Sequence, residues 1–146
     1  MSVPRLKNRR GFTLIEILVV VTILGILVGI VVPRILDRPE EARRTKAAAD
    51  IRGIGEALGM FKLDNGFFPS TEQGLRALVE KPQIGRIPTR YPDNGYLRRV
   101  PMDPWGNPYV YLSPGLHDEY DILSYGADGE PGGEGNNAEI RSWELD

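Results

Sequence analysis

Between Phe12 and Val32 the chain carries 21 residues with a single charge among them, Glu16. At a helical rise of about 1.5 Å per residue, such a run reaches roughly 30 Å, the thickness of a bilayer's hydrocarbon core. A helix that is apolar on every side must be covered by lipid or by protein. Arg5, Lys7, Arg9 and Arg10 lie ahead of it, with no acid in residues 1–11. The positive-inside rule puts that end in the cytoplasm and the bulk of the chain across the membrane. Setting those four aside from the 18 basic residues leaves 14 against 20 acidic ones. The remainder is therefore acidic and lacks the electrostatic footprint of a nucleic-acid binder.

Three readings fit an apolar N-terminal run. A secretory signal peptide has an apolar core of about 7–15 residues and an A-x-A-like cleavage site, whereas Val32-Pro33-Arg34 follows here. A plain membrane anchor explains the length and the flanking charge but not Glu16. A carboxylate near the start of a spanning helix is costly and normally has a named partner. No Lys or Arg follows it within four residues. Cleavage between Gly11 and Phe12 would create an α-amino group four residues before Glu16, and that spacing puts both on one helix face. A neighbouring copy could present its own amino group in the same way, which makes Glu16 an assembly contact.

Gly11-Phe12-Thr13-Leu14-Ile15-Glu16, behind a basic leader and ahead of an apolar helix, resembles the processing signal of type IV pilins and pseudopilins. The resemblance implies cleavage by a prepilin peptidase after Gly11 and N-methylation of Phe12. It also implies pairing of Glu16 with the N-terminus of an adjacent copy in a helical filament. Gly25 and Gly29 form a Gly-x-x-x-Gly pair that either lets helices approach closely or is incidental. Pro33 removes one backbone hydrogen bond and can kink the helix. The expected organisation is a cleaved leader (1–11), a transmembrane and filament-core helix (12–33) and a periplasmic globular domain (34–146).

Beyond Pro33 the pattern turns amphipathic. Ala47, Ile51, Ile54, Leu58 and Phe61 recur at three- and four-residue steps, as in a helix with one buried stripe. Asp37 suits an N-cap, with Pro39, Glu40 and Glu41 in the first turn. The two helical stretches join as one long helix bent near Pro33 to Pro39, and Asp64-Asn65-Gly66 closes it. The charges from Glu40 to Lys46 read as a solvated face, or as contacts between copies. Ser70 or Thr71 can cap a short helix reaching Leu78 or Val79, and residues 81–92 read as loop. Strand-like runs follow after Tyr96, with the clearest at Tyr109–Leu112 and Tyr120–Ser124, which suit an antiparallel pair. Ile140–Trp143 reads as a further strand. The fold class is thus α+β, a long N-terminal helix packed on a small antiparallel sheet with a loop-rich C-terminal region.

Lys62-Leu63-Asp64-Asn65-Gly66, Phe68-Pro69, Thr71-Glu72-Gln73-Gly74-Leu75, Asp103-Pro104-Trp105-Gly106-Asn107-Pro108-Tyr109 and Ser124-Tyr125-Gly126-Ala127-Asp128-Gly129 together resemble the major pseudopilin family of type II secretion systems. The resemblance implies a structural subunit that polymerises through its N-terminal helix and helps to drive folded proteins across the outer membrane. Implied partners are further copies of the chain, minor pseudopilins, the prepilin peptidase and an inner-membrane assembly platform. A minor pseudopilin or type IV pilin is the alternative within the class, although many pilus-forming pilins close a C-terminal loop with a disulfide and this chain has no cysteine. A membrane-anchored periplasmic enzyme or binding module is the alternative outside it.

Residues 126–139, GADGEPGGEGNNAE, hold five glycines and four acids. Composition alone describes a solvated acidic loop. Calcium takes six to eight oxygen ligands from carboxylates, amides and carbonyls, but the spacing here is not that of an EF-hand. The pseudopilin resemblance implies a structural calcium ion, with Asp128 as a side-chain ligand and the carbonyls of Tyr125 and Glu130. The family's acids at the loop's end fall on Asn137, Ala138 and Glu139, where the chain departs from the pattern. Ala138 has no ligating side chain, and Asn137 and Glu139 are the candidates left. His117, the only histidine, stands beside Asp118 and Glu119 without a Ser or Cys nucleophile motif and reads as a solvated turn residue. Gly53, Gly55 and Gly59 lie in a helical pattern and read as close packing, not as a phosphate loop.

Overall fold

The computed structural model describes residues 11–145, leaving aside the side chains of residues 31–38. The basic leader cluster at Arg5, Lys7, Arg9 and Arg10 therefore lies outside the described residues. The chain divides into two units, residues 1–38 and 39–146. One helix, α1, runs Leu14–Asn65. Asp37 is consequently not an N-cap, and Pro39 does not open a second helix. Each proline removes one donor and crowds the preceding turn at a cost of about 3 kcal/mol, and the hydrogen bonds of a 52-residue helix carry it through. Among the described residues no helix is long and apolar enough to cross a membrane. The apolar run continues through Val31 and Val32, whose side chains are outside the described set.

In the unit of residues 39–146, the helical stripe is the floor of the core. Ala47, Ile51, Ile54, Leu58 and Phe61 are all buried, with Ala57 beside them. Leu75, Leu78, Tyr109, Tyr111, Ile122 and Ile140 complete one cluster with them. Phe61 is fully enclosed, and Phe67 and Tyr96 stand against its ring with centroids 5.6 and 5.4 Å away. The stripe ends where the helix does. Gly66 takes φ 80°, a left-handed conformation suited to a residue without a Cβ, and its N–H donates to Lys62 O at 2.6 Å. Asn65 anchors the next segment, donating to Arg90 O and accepting from Arg90 N–H at 2.8 and 3.0 Å.

The sheet has three antiparallel strands in the order β1 (Val110–Leu112), β2 (Asp121–Ser124), β3 (Ile140–Arg141). Tyr111 faces Ile122, and Ser124 faces Ile140. Each strand is shorter than its sequence pattern suggests, and β3 passes into a 3-10 turn, Ser142–Glu144. Residues 96–109 are coil apart from one bridge between Met102 and Pro108, because three prolines interrupt the pairing donors there. The expected short helix is a 3-10 turn, Leu75–Leu78. Ahead of it Ser70 and Gln73 exchange hydrogen bonds, Ser70 N–H to Gln73 Oε1 at 3.0 Å and Gln73 N–H to Ser70 Oγ at 3.3 Å. Gly55 is a real close approach, since a Cβ there would lie 2.9 Å from the Tyr120 hydroxyl. Gly53 and Gly59 border open space, so intrachain packing does not explain them.

Truncation of the enclosed ring should separate core from surface. Phe61→Ala is expected to destabilise the protein by about 3–5 kcal/mol. Leu63→Ala, whose side chain is 85% exposed, should cost less than about 0.5 kcal/mol. Urea midpoints of the two variants check both values.

Candidate functional site

The helix begins with a reciprocal cap. Thr13 donates its N–H to Glu16 Oε2 at 3.1 Å and its hydroxyl to the same oxygen at 3.3 Å, while Glu16 N–H donates to Thr13 Oγ1 at 3.3 Å. This is a capping box, which satisfies helix-end donors that have no intrahelical partner. Thr-x-x-Glu was present in the sequence as its signal, and reading Glu16 only as an ionic partner passes over it. Phe12 and Leu14 are 84% and 90% exposed, and the apolar side chains onward to Ile30 are exposed on all faces. A Cβ at Gly25 or Gly29 would meet nothing within 4 Å among the described residues.

The Asp103–Tyr109 motif is a polar hub below the sheet. Buried Asp103 accepts from Trp105 N–H and Asn107 N–H through Oδ1, at 3.1 and 2.7 Å. Its Oδ2 accepts from the Ser124 hydroxyl at 2.7 Å. Ser124 in turn accepts from Gly126 N–H at 3.2 Å, so the hub positions the first residue of the acidic loop. Two contacts tie the motif to α1: Trp105 Nε1–H donates to Glu40 at 3.0 Å, and the Tyr109 hydroxyl to Asp50 at 3.1 Å. Burial and the neighbouring Asp50 hold the Tyr109 phenol well above its usual range, so it stays a donor. Glu40 also pairs with Arg43 and Lys46 with Asp50, so part of the charged stretch is locally neutralised.

The acidic loop brings the proposed calcium ligands together only in part. Asp128 Oδ1 accepts from Glu130 N–H at 3.1 Å, a local turn that also contains the Glu130 backbone. Tyr125 precedes the loop's closure, in which Ala127 N–H donates to Asn136 O at 3.2 Å. Asn137 sits in a 3-10 turn, Gly135–Asn137. Glu139 is turned to other partners. Its Oε1 accepts from Gly132 N–H at 2.7 Å, and its Oε2 from Arg141 Nε–H at 2.8 Å. Those two contacts hold its carboxyl below the usual range. Among the described residues no three acidic or histidine side chains converge as a metal group. The donor set as folded thus does not fit a calcium cage, because its terminal carboxylate is bound by an arginine.

The sequence profile of the family described as Type II secretion system (T2SS), protein G matches residues 34–143, and that of the Prokaryotic N-terminal methylation motif matches residues 6–32. The chain belongs to the type II secretion system protein G family. The type II secretion system core protein G of Pseudomonas aeruginosa is 52% identical over 138 residues, covering 94% of this chain and 97% of the relative. That of Vibrio cholerae serotype O1 is 49% identical over 141 residues, covering 97% and 96%. The crystal structure of the major pseudopilin from the type 2 secretion system of enterohaemorrhagic Escherichia coli superposes with a TM-score of 0.68 at 42% identity, covering 76% of this chain and 91% of that one. The family supplies structural subunits, and with the methylation motif it implies a membrane-associated, periplasmic pseudopilus built by self-assembly.

His117 is exposed, as expected of a turn residue, with 46% of its side chain open to solvent, and it also makes structural contacts. Asp121 at the start of β2 is buried and accepts from Leu116 N–H at 2.8 Å and from His117 N–H at 3.2 Å. A carboxylate only accepts, so the 2.9 Å contact to His117 Nδ1 puts a proton on that nitrogen. The imidazole stacks on Trp143, centroids 3.9 Å apart and 9° from parallel. Burial pushes the Asp121 carboxyl up, but the His117 ring and the Leu116 and His117 amides outweigh it and leave it lowered. A lowered folded value stabilises above the unfolded carboxyl's pKa of about 3.9 and is lost as pH falls through the folded value. Thermal stability should therefore drop as pH is lowered below about 4, and Asp121→Asn should flatten part of that acid limb while lowering stability at neutral pH by about 2 kcal/mol. Melting curves from pH 2 to 7 measure both.

Proposed function

We propose that the chain is the major subunit of a type II secretion pseudopilus, and that its assembly helps to move folded proteins from the periplasm across the outer membrane. The observation that carries the reading is a helix start exposed and apolar on every face, capped at Thr13–Glu16, directly behind Gly11-Phe12. The basic leader keeps the N-terminus cytoplasmic, and the helix over residues 12–32 crosses the inner membrane once. A prepilin peptidase cuts between Gly11 and Phe12 and the new N-terminus is methylated. An inner-membrane platform then lifts the subunit out of the bilayer.

The physics of that transfer favours an all-apolar helix. Lipid and neighbouring copies of the helix are equally apolar, so side-chain packing and polar contacts decide the association. The α-amino group of Phe12 on one copy neutralises Glu16 of the next, which removes the cost of a lone carboxylate in an apolar bundle. Minor pseudopilins begin or end the filament. No phosphate-binding glycine motif occurs in the chain, and the work comes from a separate cytoplasmic ATPase.

The cap and the intersubunit contact make different demands on Glu16. Glu16→Gln keeps an acceptor for Thr13 N–H and loses the charge. It is expected to reduce filament yield at least tenfold in sheared or cross-linked preparations. Thr13→Ala removes the cap at a cost of about 1 kcal/mol and should still assemble. Wild-type filament yield from Glu16→Gln would refute the charge contact.

A further inference from the structure

The loop over residues 126–139 concentrates four carboxylates, and the chain meets that charge with its own cations. Glu139 is only 13% exposed at its side chain, and the Gly132 amide and the Arg141 guanidinium take both of its oxygens. These two bonds fasten the middle of the loop to its end and to β3. Arg141 is itself held by Glu144, with Nη1 donating to Oε1 at 2.8 Å. From the helix, Arg44 Nη1–H donates to Ala138 O at 2.6 Å.

A calcium ion would seek the same Glu139 carboxylate at about 2.3–2.6 Å. That carboxylate already faces a guanidinium, which is always charged and presents its donors in a fixed fork. The loop's limbs also meet backbone to backbone. A Cβ at Gly133 would lie 2.5 Å from Asn137 O, and one at Gly126 would lie 2.9 Å from the same oxygen.

We propose that Arg141, with Arg44, is the resident counter-charge of the 126–139 loop, Arg141 holding the Glu139 carboxylate that a divalent cation would take, so that the loop is ordered without calcium. The inference does not depend on filament assembly. The test is amide hydrogen exchange of the full chain in detergent, with millimolar calcium or with excess chelator, read at Ala127 and Gly132. Both amides are hydrogen-bonded within the loop. The wild type should show less than about a twofold difference between the two conditions. In chelator, Arg141→Gln should exchange at least about tenfold faster at Gly132. If that variant does not fold, Glu139→Gln, which keeps an acceptor and removes the charge, should give the same loss. A wild-type loop that exchanges tenfold faster in chelator would overturn the proposal in favour of a metal staple. Wild-type rates in the variants would overturn it as well.

Discussion

One face of α1, from Ala47 to Phe61, governs the globular unit. A three-stranded sheet of nine residues offers little surface of its own, and so few strands need a packing partner to be stable. The helix supplies it. Tyr109, Tyr111, Ile122 and Ile140 join the stripe from the sheet side, and Leu75 and Leu78 from the 3-10 turn. The long coil between them contributes rings more than backbone order. Tyr91 stands edge-on to Tyr96, and Tyr96 tilts against Phe61.

With so little regular structure, buried carboxylates take over the work of satisfying backbone donors. Asp103 collects two amides and the Ser124 hydroxyl, and Asp121 collects amides from Leu116 and His117. Among the described residues every buried side-chain nitrogen or oxygen has a partner. The acidic loop follows the same rule, since Glu139 receives a backbone amide and an arginine. A loop with only one short 3-10 turn is thereby joined to β2 at Gly126, to β3 at Arg141 and to α1 at Arg44.

Features carried by local periodicity were legible in the sequence. The buried stripe, the stop at Asn65-Gly66, the antiparallel pair and the short final strand all follow from spacing and turn residues. Features that depend on distant partners were not. Arg44 reaches a carbonyl 94 residues away. His117 is exposed as its turn setting suggests, but its stacking on Trp143, far along the chain, left no local signal. One helix through Pro33 and Pro39 agrees with the expected long helix, whereas the start signal at Asp37 and Pro39 marks no second helix. The Thr13–Glu16 box was written plainly in the sequence, but the ionic reading of Glu16 drew attention past it.

The apolar segment ahead of the stripe presents side chains from Phe12 to Ile30 that are exposed among the described residues. In the proposed assembly they are buried first by lipid and then by identical helices, and the exchange depends on a new charge at residue 12. Mass analysis of the N-terminal peptide, taken from protein in its native membrane, tests that step directly. The expected result is a chain that begins at Phe12 and carries one methyl group on its α-amine. A chain that retains residues 1–11 would contradict it.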